Sequence, residues 1–111
     1  MIISTEELAG AITRIILDGN LDIEGAATVD LQMNIIAGGG KPLLVDLQKV
    51  SYIGSMGLRS LVIPARTNKQ RGGKMVLFGP NEMVEKVLRT SGVDTIIPVH
   101  HNLESAIAAL Q

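Results

Sequence analysis

Pro42-Leu43-Leu44-Val45-Asp46-Leu47 is an almost continuous apolar run in which Asp46 is the only charged residue. Successive side chains of a strand point to opposite faces, so a strand wetted on one face alternates apolar and polar residues. A run without that alternation suits a strand covered on both faces, as in a parallel sheet. Ahead of it, Gly38-Gly39-Gly40 ends a helical pattern, because glycine readily adopts the backbone that closes helices. Beyond it, a second helix is predicted from about Met56 to Gln70 and ends at Gly72 and Gly73.

The alternation of strand and helix continues outward. Upstream, Ala11 to Leu17 is a β-branched run, and Asp18-Gly19-Asn20 reads as a turn that closes it. From Glu24 to Ala37, Ala27, Leu31 and Ile35 recur every four residues, with Val29, Met33 and Ile36 on the flank. That spacing predicts a helix with one buried face. Downstream, Met75 to Phe78 is another buried strand, broken by Gly79 and Pro80. Asn81 is a good N-cap for a third helix, with Glu82 and Glu85 near its positive end and Lys86 and Arg89 nearer its negative end. Val84, Val87 and Leu88 are its expected buried stripe, and Gly92 closes it. Ile96 to Val99 is expected as a short strand, placed at a sheet edge by Pro98. Asn102 caps a last helix with Leu103, Ile107 and Leu110 inward, and Ile2-Ile3 could pair in front as a hairpin partner. The expected fold is α/β: one domain over residues 1–111, with a mostly parallel sheet of four to five strands packed with about four helices.

Composition narrows the function. Hydrophobic residues make up 46% of the chain, enough for a real core, yet Tyr52 and Phe78 are the only aromatics. That core must be aliphatic, and a base-stacking surface for single-stranded nucleic acid is disfavoured. Ten basic and eleven acidic residues leave a net charge of -1, which gives no general pull toward DNA or anionic lipid. The local cluster Lys69, Arg71 and Lys74 reads as a solvated helix end. With no cysteine, disulfides, thiolate metal sites and a cysteine nucleophile are excluded. Met1 to Ser4 is too short for a signal peptide, and no stretch approaches the roughly 20 apolar residues of a membrane helix. A cytoplasmic protein with no membrane contact and no direct nucleic-acid contact is expected.

The functionally informative segment runs from Val45 to Leu58 and ends in Tyr52-Ile53-Gly54-Ser55-Met56-Gly57-Leu58. A strand expected to end near Leu47 turns there into a helix headed by Ser55 and Met56. One reading is purely local: the Ser55 hydroxyl accepts a first-turn N–H, worth ~1 kcal/mol, and Gly57 is a close-packing position. The segment also resembles the signature of STAS domains in bacterial anti-sigma factor antagonists. In that signature a strand ending in Asp-Leu leads through an aromatic-apolar pair to Asp-Ser-x-Gly-Leu. Gly19-Asn20-Leu21-Asp22 is similar to the family's Gly-x-Leu-Asp before its first helix. Gly73-Lys74-Met75-Val76-Leu77 and Leu88-Arg89-Thr90-Ser91-Gly92-Val93 agree in place and spacing.

The resemblance implies a non-enzymatic switch without cofactor. Ser55 falls on the serine phosphorylated by a cognate anti-sigma factor serine kinase, which the unmodified protein binds and the phosphorylated protein releases. A PP2C-type phosphatase resets it. Asp22 with Gly54, Ser55, Met56, Gly57, Leu58 and Arg59 would form the partner surface, and Arg59 could partly neutralise the phosphate. Gly54 departs from the family, which usually has an acidic residue there, so an alternative stays open: a non-phosphorylated STAS scaffold or transport-complex subunit. Met56 stands where a small hydroxyl residue is common, and either a partner groove or core packing suits it. Pro64 inside the second helix predicts a kink.

Three other signals are weaker. Gly38-Gly39-Gly40-Lys41 and Arg71-Gly72-Gly73-Lys74 lack the Ser or Thr that follows the lysine of a phosphate loop, and both end helices. Weak nucleotide binding, found in some STAS relatives, stays open. Gly54-Ser55-Met56-Gly57 lacks the glycine two before the serine of a nucleophile elbow, although His100 and Asp46 could complete a triad. His100 and His101 are adjacent, so in a strand they diverge, which suits a shared metal poorly.

Overall fold

The computed structural model describes Met1–Gln111 and resolves why the central apolar run is buried on both faces. Strand β3 (Leu43–Ile53) lies in the middle of a five-stranded sheet of order β1-β2-β3-β4-β5. Its neighbours β2 (Ile12–Leu21) and β4 (Met75–Phe78) both run parallel to it, and β5 (Val99–His100) lies parallel at the edge. Strand β1 (Ile2–Leu8) is antiparallel to β2, so the hairpin partner expected from Ile2-Ile3 is a full strand. The alternating side chains of β3 feed two cores. Leu43, Val45 and Leu47 enter the larger one beneath helices α1 (Ile23–Gly38), α2 (Ser55–Gln70) and α3 (Glu82–Ser91). Leu44 enters the smaller one with Ile12, Val76 and Phe78 under Ala106 and Leu110 of α4 (Leu103–Leu110). No helix is long and apolar enough to cross a membrane.

Four local expectations are corrected. Asp18-Gly19-Asn20 is not a turn: β2 continues to Leu21, with register shifts between Ile16 and Asp18 and between Gly19 and Asn20. Strands pair with it on both sides as far as Asp18, which overrides local turn preference, and Gly19 takes φ of 127° to absorb the bulge. Strand β3 runs on past Leu47 to Ile53, with Val50 and Ile53 buried. Of the segment expected as a strand over Ile96 to Val99, only Val99 is strand, in the two-residue β5; residues 96–98 are irregular chain that follows a 3₁₀ turn at Val93–Thr95. Helix α2 passes through Pro64 without interruption, and α3 and α4 start where expected, their Asn81 and Asn102 side chains accepting from Val84 N and Ser105 N.

The fourth correction is the buried face of α1. The row that faces the sheet is Gly25, Val29, Met33 and Ala37, while Leu31 and Ile35 are 74% and 66% exposed. Both rows have the same spacing of four, so periodicity cannot choose between them. Backbone contact at the helix start does: a Cβ on Gly25 would overlap the Asn20 carbonyl oxygen, so this row must lie against the end of β2.

On the opposite face the buried Asp46 forms an ion pair with Arg14. Asp46 Oδ2 accepts from Arg14 Nε at 3.1 Å and Nη2 at 2.6 Å, and Oδ1 accepts from Gln48 N at 2.9 Å. Arg14 also reaches Glu6 Oε1 at 3.1 Å across the β1–β2 pair and lies 6.0 Å from the Phe78 ring centre. The hydrogen bond to Asp46 is the largest influence holding the guanidinium's pKa above its usual value. Asp46 is thus a structural carboxylate.

Candidate functional site

The site arises from unequal strand lengths. Strand β4 stops opposite Asp46, at the Asp46–Phe78 pair, but β2 and β3 stay paired to Leu21 and Ile53. The two chains leave that last pair together, and Gly54 N donates to Leu21 O at 3.0 Å. Asp22 and Gly54 therefore become the N-caps of α1 and α2 side by side. Asp22 and Ser55, distant in sequence, line one open cleft of about 490 Å³ with Ile23, Glu24, Tyr52, Gly54 and Met56.

The two helix starts differ chemically. Asp22 Oδ1 accepts from Gly25 N at 2.8 Å and caps α1. The cap of α2 is Gly54, which offers no side-chain acceptor, so the first-turn amides of α2 have none. Ser55 is the first helical residue rather than the cap, and it is exposed. The local reading of Ser55 as a structural capping serine is therefore corrected, because the hydroxyl sits one position too late.

The remaining expected surface residues divide. Met56 is 38% exposed and lines the cleft, and Arg59 is exposed with no ion-pair partner. Gly57 is buried and Leu58 packs against the larger core, so these two shape the site from beneath. A Cβ on Gly57 would overlap the Leu21 carbonyl oxygen, and this clearance is what lets α2 start against the end of β2. Gly57→Ala is expected to cost about 2–3 kcal/mol in urea unfolding and to separate the Asp22 and Ser55 turns.

Tyr52, Ile23 and Glu24 belong to the cleft but were not singled out by sequence. At Gly54, where an acidic residue is usual in the resembling family, a Cβ would lie 3.1 Å from Tyr52 Oη. The phenol thus covers the space that a larger side chain would enter. The triad is not assembled. His100 lies at the level of Phe78 and Asp46, whereas Ser55 follows Ile53, seven residues further along β3, on the order of 20 Å away. Asp46 is committed to Arg14, and His101 Nε2 lies 2.7 Å from Glu85 Oε2. The glycine runs after Ala37 and Arg71 end helices, as expected.

Known proteins share this fold. The chain matches the STAS domain family over residues 3–106. It is 34% identical over 91 residues to a Bordetella bronchiseptica protein named "Putative anti-sigma factor antagonist BtrV", covering 82% of this chain and 72% of that one. The crystal structure of an anti-sigma factor antagonist from Mycobacterium paratuberculosis superposes with a TM-score of 0.88 at 18% identity, over 98% of this chain and 92% of that chain. The phosphorylated form of the Bacillus cell fate determinant SpoIIAA gives 0.73 at 19% identity, over 99% and 100%. With a family match spanning nearly all its elements and a relative above 30% identity, this chain belongs to the STAS domain family.

Proposed function

We infer that the protein is an anti-sigma factor antagonist that binds a cognate anti-sigma factor serine kinase and is switched off by phosphorylation of Ser55. The observation that carries this reading is the exposed Ser55 at the uncapped start of α2, in one cleft with Asp22. In the modifying step Ser55 Oγ takes the γ-phosphoryl group of ATP held by the kinase, the hydroxyl proton leaves, and ADP is released. A PP2C-type phosphatase hydrolyses the ester and restores the hydroxyl. The chain itself supplies no catalytic group; it acts as a surface.

The start of α2 tolerates the product. Unpaired amides and the helix dipole favour an anion there, so the phosphate leaves the fold intact. Within the complex, about 1.5–2 added negative charges enter a desolvated contact, where water no longer screens them from the Asp22 and Glu24 carboxylates. The complex is destabilised while the free protein is not. SpoIIAA, which has the same fold, exists in both unphosphorylated and phosphorylated forms.

Gly54 favours one second reading, a scaffold subunit that binds without being modified. Incubation with candidate anti-sigma factor kinases and ATP, followed by mass spectrometry, separates the two. Phosphate on Ser55 with loss of binding is the expected result; stable binding with no label on Ser55 would leave the scaffold.

A further inference from the structure

Helices α1 and α2 both follow parallel strands, so they lie side by side and start at the same end of the sheet. Each sends an apolar residue into the Ser55 cleft, Ile23 from α1 and Met56 from α2. Apolar surface continues from both. Eight residues beyond Ile23, Leu31 is 74% exposed, and seven beyond Met56, Ile63 is 39% exposed. Between the helices runs a groove of about 330 Å³ lined by Asp30, Asn34, Met56, Arg59, Ile63 and Pro64, so Met56 belongs to both hollows. The surface from the cleft to Ile63 is one continuous track.

Along α2 the charge is one-sided, whereas the carboxylates that line the track, Asp22, Glu24 and Asp30, belong to the α1 side. Helix α2 contains Arg59, Arg66 and Lys69 and no acidic residue. Arg59 and Arg66 are seven residues apart, hence on one helix face, with Ile63 between them. Neither has an ion-pair partner in the chain. On the α1 side, Asp30 is turned inward, its Oδ1 accepting from the buried Ser60 hydroxyl. The track is therefore a groove whose exposed apolar residues, Met56 and Ile63 with Leu31 beside it, are interleaved with Asp30 and Asn34 on the α1 side and edged by unpaired guanidinium groups on the α2 side.

We propose that this α1–α2 track is the main docking surface for the protein's partner, and that the partner meets it with an amphipathic helix whose apolar ridge carries flanking carboxylates opposite Arg59 and Arg66. A helix is the element that lies along the groove between two parallel helices, and acidic flanks are what unpaired arginines select. The track supplies affinity and Ser55, at its end, supplies the charge that cancels it. This rests on the reading of Ser55 as the switch, and it adds the identity of the surface that holds the partner.

The test uses the full chain and the anti-sigma factor kinase that it binds when unmodified. Leu31→Asp is expected to weaken that binding at least tenfold with an unchanged unfolding midpoint, since Leu31 is exposed. Arg59→Glu with Arg66→Glu is expected to slow association about tenfold and to flatten its dependence on salt. Should Leu31→Asp lower the midpoint, Leu31→Gln takes its place. If these variants bind as the wild type does while Ser55→Asp does not, the track is not the interface, and the Ser55 reading survives alone. A wild-type protein that binds no anti-sigma factor sinks both. A wild-type dimer in sedimentation that Leu31→Asp disperses would overturn the partner assignment in favour of a second copy of the chain.

Discussion

Ser55→Asp is expected to weaken partner binding by at least a hundredfold, about 3 kcal/mol, while the thermal midpoint shifts by no more than about 3 °C. Two features of the site separate the effects. Ser55 is exposed and is not the cap of α2, so the substitution removes no capping bond. The new carboxylate stands at the positive end of α2, where it is slightly stabilising. In the complex the same charge is pressed against a partner beside Asp22 and Glu24. Ser55→Ala is expected to bind like the unmodified protein and to accept no phosphate. Titration calorimetry with melting curves measures both quantities on the same samples. A parallel loss of stability and binding in Ser55→Asp would make the serine structural and remove the switch.

Arg14→Met is expected to give the largest loss of stability, about 3–5 kcal/mol. It leaves Asp46, 3% exposed, without the two hydrogen bonds that Arg14 gives Oδ2. A buried carboxylate without its cation costs far more than the pair contributes, because the charge has lost water and keeps only the Gln48 N–H in return. Replacing both partners, Arg14→Met with Asp46→Leu, should therefore recover most of the loss. Urea unfolding of the two single variants and the double variant gives the coupling directly. Equal losses in Arg14→Met and the double variant would mean that packing around Phe78, not the charge, sets the cost. The partner surface lies elsewhere, so binding of the folded fraction should be unchanged.

Much of the site was legible because it depends on residue types at chain boundaries. Asn81 and Asn102 are caps, as their chemistry and position imply, and Ser55 begins α2; the capping of α1 by Asp22 was not read from the sequence. The cleft was only half legible. Tyr52 and Ile23 enter it through the pairing of Leu21 with Ile53, a long-range register that residue pattern does not encode. The misassigned row of α1 has a related cause. Ala27-Leu31-Ile35 and Val29-Met33-Ala37 are equally apolar and equally spaced, and only the clearance at Gly25 decides which one faces the sheet.

By itself, then, the sequence determined the α/β alternation, the parallel central strand and the place where Ser55 meets a helix start. These follow from local rules: side-chain period, capping chemistry and the conformational range of glycine. Tertiary structure alone decided that β2 and β3 outrun β4, that Asp22 stands beside Ser55, and that Leu31 is left facing water. Each of those outcomes is settled by which backbones can touch, and such contacts join residues far apart in the chain.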